Sequence, residues 1–157
     1  MIKSKNQEHS IKNIFVDNFT NGGWGLLSEY YMINQGYGNK DNNIYRLFHF
    51  KNVLNAIVKN MIFSNYYIHQ KSKDEIVQEI HNLTFYNQNE IWEMLYEVLR
   101  HPVESNFEII GYLKLKAIYD ELIKDDFYKS VQFYDVLIES AYLNSDLIKQ
   151  FKLNTYE

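Results

Sequence analysis

The sequence predicts an all-α fold: a single compact helical domain over residues 1–157, with about seven or eight helices in an orthogonal bundle or a short stack of helical hairpins. Apolar residues recur at helical spacing along nearly the whole chain, and strict alternation is nowhere sustained. Capping residues, glycines and one proline separate these periodic segments. No repeat, linker or low-complexity segment divides the chain. Residues 1–9 are the part that we expect to be flexible.

The first predicted helix starts at Ser10, which can cap it, and stops at Gly22 and Gly23. A second, short helix is predicted over residues 26–33 and ends near Gly36. Because no strand precedes these glycines and no G-x-x-x-x-G-K motif is present, we interpret them as bends in the chain and not as a phosphate-binding loop. If this segment has a function, it is contact through its aromatic residues, namely Trp24, Tyr30, Tyr31 and Tyr37.

A long third helix follows the polar turn at residues 38–43. Its apolar face is predicted from helical spacing and comprises Ile44, Leu47, Phe48, Leu54, Ile57, Val58, Met61 and Ile62.

Three capping-box patterns then predict three helix starts. Each places a Ser or Asn three residues before a Glu, so that both side chains can bind free amides of the first turn. The pairs are Ser72 with Glu75, Asn87 with Glu90, and Ser105 with Glu108. Pro102 is predicted to end the middle helix. A further helix is predicted to start at Asp125 or Asp126, and a last one at Ser145.

Composition excludes several classes of site. The chain has no cysteine, which rules out disulfides, thiolate metal sites and a cysteine nucleophile, and fits a reducing compartment. No run of residues is apolar enough for a membrane span, and we expect a cytoplasmic chain.

The five histidines form no metal-binding or catalytic pattern, so we predict no metal, no cofactor and no catalytic residue. His49, between Phe48 and Phe50, is expected to be a hydrogen-bonded, partly buried histidine. His101 is expected to lie at a helix end, where a cation opposes the helix dipole.

Charge divides the chain unequally. Residues 1–71 carry eight Lys and Arg against four acids, a net of +4, whereas residues 72–157 carry eight against sixteen, a net of −8. Tyrosines are interleaved with the carboxylates of this acidic half. We therefore hypothesise an acidic, tyrosine-rich face that binds a basic protein. Its predicted residues are Glu93, Glu97, Asp120, Glu121, Asp125, Asp126, Tyr128, Tyr134 and Asp135.

These patterns favour a non-enzymatic inhibitor, such as a toxin-neutralising immunity protein or a phage-type inhibitor, acting on a basic, nuclease-like partner. Direct binding of nucleic acid is not expected, since the basic residues are thinly spread. Two alternatives stay open. One is an enzyme whose fold assembles a site around a histidine and a carboxylate. The other is a self-associating structural or regulatory module.

Overall fold

A computed structural model describes residues 18–38, 42–123, 133–135 and 137. It is all-helical over these ranges, with no strand among them. Five α-helices have bounds within these ranges: α1 (Asn18–Asn34), α2 (Asn42–Phe63), α3 (Lys73–Leu83), α4 (Gln88–Arg100) and α5 (Phe107–Ile123). A π-helical turn, Ser64–Ile68, follows α2, and a 3₁₀ turn, Glu104–Asn106, precedes α5. No helix in the described ranges is long and apolar enough to cross a membrane.

The predicted helix break at Gly22 and Gly23 is wrong, because α1 runs unbroken through both glycines and through Gly25. The reason is a close crossing of α1 and α5. A Cβ on Gly23 would lie 2.1 Å from the carbonyl carbon of Gly111, and a Cβ on Gly111 would lie 1.7 Å from the carbonyl oxygen of Phe19. These glycines therefore let two helix backbones touch. The predicted helix start at Ser10 lies outside the described residues.

We call the core around this crossing the first cluster. It joins α1 and α5 to Ala56 and Val53 of α2 and to residues near the C-terminal end of the described chain. Its buried members are Leu26, Leu27, Ala56, Ile109, Tyr112, Leu115, Ile118, Phe133, Tyr134 and Leu137. The helix predicted after Asp125 or Asp126 is described only at residues 133–135 and 137, where the backbone is helical. The helix predicted from Ser145 lies outside the described residues.

A second cluster lies between the C-terminal half of α2 and the hairpin of α3 and α4. Both capping boxes predicted here are confirmed. Ser72 accepts a hydrogen bond from the amide of Glu75, Asn87 accepts one from the amide of Glu90, and each Glu side chain accepts one from the cap residue's amide. The buried members of the second cluster are Val58, Ile62, Ile76, Val77, Ile80, Tyr86, Ile91, Leu95 and Val98.

The capping box predicted at Ser105 is wrong. Its hydroxyl donates to the carbonyl of His101 at 2.7 Å, and Ser105 lies inside the 3₁₀ turn that leads into α5. Asn106, buried at the end of that turn, donates to the carbonyl of Pro102 and accepts from the side chain of Asn60, both at 2.7 Å. The prediction that α4 stops before Pro102 is confirmed.

The long helix α2 is confirmed, but its predicted apolar face is only partly buried. Val58 and Ile62 lie in the second cluster, whereas Ile44, Leu47 and Phe48 are 54%, 69% and 60% exposed. Between residues 43 and 52 of α2, His49 alone is buried. The N-terminal half of α2 thus lies largely against solvent in the described structure.

Candidate protein-binding surface

The acidic residues predicted for a partner face are divided between two parts of the fold. Glu93 and Glu97 lie on α4, which packs in the second cluster, while Asp120 and Glu121 lie at the end of α5, which packs in the first. All four are exposed, as is Asp135. Asp125, Asp126 and Tyr128 lie outside the described residues. These two helices, α4 and α5, are not a closely packed pair, so the described acidic residues do not lie together on one pair of helices.

Glu97 and Asp120 each form an ion pair. Glu97 accepts a hydrogen bond from the ammonium of Lys59 at 2.7 Å, and Asp120 accepts one from Lys116, four residues earlier on α5, also at 2.7 Å. Exposed ion pairs of this kind add little stability. They do reduce the negative charge that each site presents.

Tyr134, predicted as an anchor for a partner, is buried in the first cluster. It is 8% exposed, and its hydroxyl donates to the carbonyl of Leu27 at 3.3 Å. Burial raises the pKa of its phenol far above the ordinary value, and the neighbouring Tyr119 adds to the shift. Its position in the described structure gives Tyr134 a packing role rather than a surface one.

The aromatic residues predicted as a contact loop are divided in the same way. Trp24, Tyr30 and Tyr31 lie on α1, half-buried against the first cluster, with the ring of Tyr31 4.2 Å from that of Tyr134. Tyr37 lies in the turn after α1 and is 54% exposed. That turn needs glycine, because Gly36 and Gly38 have φ values of +86° and +87°. Of the four, Tyr37 is the one placed for contact.

A group of exposed large apolar residues lies on and beside the N-terminal half of α2. We call this the α2 surface; its members are Tyr37, Tyr45, Leu47, Phe48, Phe50 and Phe85. Their exposed fractions run from 40% for Tyr45 to 76% for Phe85. Soluble proteins rarely expose clustered large apolar side chains without a binding role.

The α2 surface contains two depressions that share Phe48 as a lining residue. One, which we call the Glu29 pocket, has a volume of about 390 Å³ and lies between the end of α1, the turn at residues 35–38 and α2. The other, of about 440 Å³, is an apolar groove between α2 and the loop that joins α3 to α4. Its lining residues are Leu47, Phe48, Phe50, Lys51, Leu54, Phe85, Tyr86 and Glu90.

Glu29 and His49 form a polar pair within the Glu29 pocket. His49 is 4% exposed, and its Nδ1 donates to Oε2 of Glu29 at 3.1 Å. The side-chain amide nitrogen of Asn52 donates to both carboxylate oxygens of Glu29, at 3.2 and 3.3 Å. The prediction of a hydrogen-bonded histidine at position 49 is confirmed. Its carboxylate partner was not predicted, because Glu29 precedes it by twenty residues.

A third depression, of about 290 Å³, is acidic. It lies where α4, the 3₁₀ turn and α5 meet, and Glu97, Glu104 and Glu108 line it with Lys59, His101 and Ser105.

The described residues keep the charge asymmetry of the sequence. Residues 72–123 hold ten acids against four Lys and Arg, whereas residues 18–38 and 42–71 together hold one acid against four.

Within the described ranges, no three His, Asp or Glu side chains come together as ligands for a metal ion.

One signal in the sequence could have revealed the α2 surface. Ile44, Tyr45, Leu47, Phe48 and Phe50 occupy too many directions around a helix to lie on a single buried stripe. An apolar segment of that width is either buried on all sides or partly exposed, and periodicity alone does not separate the two.

Comparison of the chain with protein-family models, with curated proteins and with solved structures gave no match.

Proposed function

We propose that this chain is a non-enzymatic protein-binding protein that inhibits a basic partner, in the manner of a toxin-neutralising immunity protein or a phage-type inhibitor. The observation that carries the proposal is the α2 surface, where Leu47, Phe48 and Phe50 are each at least 60% exposed. Aromatic and large apolar side chains dominate the energetics of protein interfaces. Large apolar side chains exposed in this way favour a protein partner over a soluble small molecule.

The choice of a basic partner is supported by charge. Residues 72–123, all of which the structure describes, have a net charge of −6. Glu93, Glu104 and Glu108 are exposed carboxylates that form no ion pair in the described structure. Such an excess attracts a cationic protein over distances of about 8 Å at physiological salt and speeds its association. We assign affinity to the α2 surface and steering to the acidic helices.

The test is a pull-down of the tagged chain from its native lysate, after nuclease treatment and at low and moderate salt. The wild-type chain is expected to retain one basic protein in stoichiometric amount. A Leu47→Ser/Phe50→Ser double variant should lose it. Leu113→Ser is the matched control, because Leu113 is also exposed, at 58%, but lies on α5.

Three results would count against the proposal. They are capture of no protein, equal capture by the double variant, and equal loss in the Leu113→Ser control. Light scattering on the purified chain separates one more case: a dimer that the double variant dissociates would make the α2 surface a contact between copies and favour the self-associating alternative.

A second candidate function, catalysis, is favoured by one observation, the His49–Glu29 pair that lines a pocket. A carboxylate that orients a histidine is a common arrangement for general base chemistry. The nearby Ser28 hydroxyl, however, donates to the carbonyl of Gly25 at 2.9 Å and not to His49. Hydrolysis of model esters or phosphodiesters that is lost in His49→Gln and kept in His101→Gln would put catalysis ahead of binding.

A further inference from the structure

The Glu29 pocket differs from the rest of the α2 surface in its charge. Its walls are mostly apolar or aromatic and include Met32, Tyr37, Tyr45 and Phe48, each at least 40% exposed. The rings of Tyr37 and Tyr45 meet edge to face with centroids 5.3 Å apart. Glu29 is the only carboxylate among the lining residues, and no lysine or arginine of the described chain lines the pocket. The pocket therefore combines aromatic walls with one negative group.

The carboxylate of Glu29 is held in place but not fully used. His49, buried beneath it, and Asn52 together fix its orientation through the hydrogen bonds described above. A carboxylate has about four acceptor positions on its two oxygens, and these bonds occupy at most three of them. Glu29 is also 44% exposed. At least one acceptor position is therefore left over on a half-exposed carboxylate that lines the same pocket as the aromatic walls.

We propose that the Glu29 pocket receives an arginine side chain of the partner protein. The proposal rests on the proposed function for the source of that arginine, and on the pocket for its chemistry. A guanidinium is planar, weakly hydrated and able to stack on aromatic rings while it donates to a carboxylate. A lysine ammonium is more strongly hydrated and lacks the planar face. Arginine is also enriched among the residues that dominate binding energy at interfaces.

The experiment titrates the purified chain with N-acetyl-arginine N-methylamide and follows amide chemical shifts by NMR. The matched probe is the citrulline counterpart, which has nearly the same shape but no charge. The arginine probe is expected to shift amides around residues 28–37 and 45–52. It should bind at least about tenfold more tightly than the citrulline probe, because a hydrogen bond between a guanidinium and a carboxylate is stronger than one from a neutral group.

Two variants locate the site. Glu29→Gln keeps the size of the side chain and an acceptor for His49, and it should remove the preference for arginine. Phe48→Leu keeps the wall apolar but removes one ring, and it should weaken the arginine probe more than the citrulline probe. Asp74→Asn, an equal change of charge at an exposed residue of α3 that does not line the pocket, is the control and should leave the binding of both probes unchanged. Equal affinity for the two probes, no saturable binding, or unchanged preference in Glu29→Gln would overturn the proposal.

The same variants separate this inference from the function on which it rests. If the wild-type chain captures a partner and Glu29→Gln captures it equally well, the arginine proposal fails while the proposed function stands. If no partner is captured, the proposed function fails and with it the partner as the source of arginine. In that case the titration still decides whether the pocket binds a guanidinium.

Discussion

The first and second clusters both hold helices together with buried apolar side chains, but they bring them together differently. In the first cluster, α1 and α5 approach until their backbones touch at Gly23 and Gly111, and the cluster contains six tyrosine and phenylalanine rings, those of Tyr30, Tyr31, Tyr112, Tyr119, Phe133 and Tyr134. In the second cluster, α3 and α4 are amphipathic helices, and each starts with a capping box. The buried residues of this cluster are aliphatic apart from one tyrosine, Tyr86. One cluster depends on a contact between distant residues, the other on short-range signals.

That contrast predicts opposite effects on stability for alanine substitutions at two helical glycines, Gly111 of α5 and Gly25 of α1. Gly111→Ala should lower the free energy of unfolding by about 3 kcal/mol or more, because its Cβ would overlap the carbonyl oxygen of Phe19 and the two helices would have to move apart. Gly25→Ala is the matched control. A Cβ there meets nothing within 4 Å, so the change should raise the free energy of unfolding by about 0.5–1 kcal/mol. Urea denaturation measures both.

The two tryptophans can report whether destabilisation of the first cluster by Gly111→Ala also affects the second cluster. Trp24 packs against the first cluster and Trp92 against the second, so the single-tryptophan variants Trp92→Phe and Trp24→Phe report on one cluster each. Because α2 contributes Ala56 to the first cluster and Val58 to the second, we expect Gly111→Ala to shift both transitions together. Two separate midpoints would show that the clusters unfold independently and that the chain is not one cooperative domain.

The second cluster should respond to a local change. Ser72→Ala removes the acceptor for the amide of Glu75 and should cost about 1 kcal/mol of stability. Ser105→Ala offers a comparison, since Ser105 was predicted to cap α5 but instead bonds the carbonyl of His101. Thermal unfolding should show the smaller loss at Ser105. A loss there as large as that at Ser72 would contradict our assignment of the two roles.

The smallest expected effect is a dependence on pH. Hydrogen bonds from the Ser72 side chain and backbone lower the pKa of Glu75 below its ordinary value of 4.5. A lowered folded-state pKa means that the stabilisation is present at neutral pH and is lost as the pH falls through the folded-state pKa. Glu75→Gln should therefore lose less stability than the wild-type chain between pH 6 and pH 3, as measured by urea denaturation. An identical pH dependence would contradict the assignment.

Features that depend on residues close together in the sequence were predicted correctly, whereas those that depend on distant residues were not. The starts of α3 and α4 and the end of α4 were predicted correctly, because these signals are local. Ser72 and Asn87 accept from amides three residues away, and Pro102 lacks an amide hydrogen and disfavours helix in the residue before it. The path of α1 was predicted wrongly, because a glycine before a turn and a glycine at a helix crossing look the same in sequence. Only the position of Gly111 on another helix distinguishes them.

The candidate site was unpredictable for a related reason. Helical spacing correctly gave α2, but whether Phe48 is buried depends on which helices cover it. The pairing of His49 with Glu29 depends on how α1 and α2 pack. Charge alone correctly indicated an acidic half, yet it did not show that Glu93 and Asp120 belong to different parts of the fold.

The span of the hydrogen bond from Tyr134 to Leu27 has a consequence for synthesis on the ribosome. The second cluster needs only residues 58–98, so its parts have all emerged once α4 has left the exit tunnel. The first cluster is completed only by Phe133, Tyr134 and Leu137, and the bond to Leu27 closes a loop of 107 residues. During translation the first cluster is therefore completed only after α5 and the segment around Phe133 have been made, and until then the apolar residues of α1 lack part of their core.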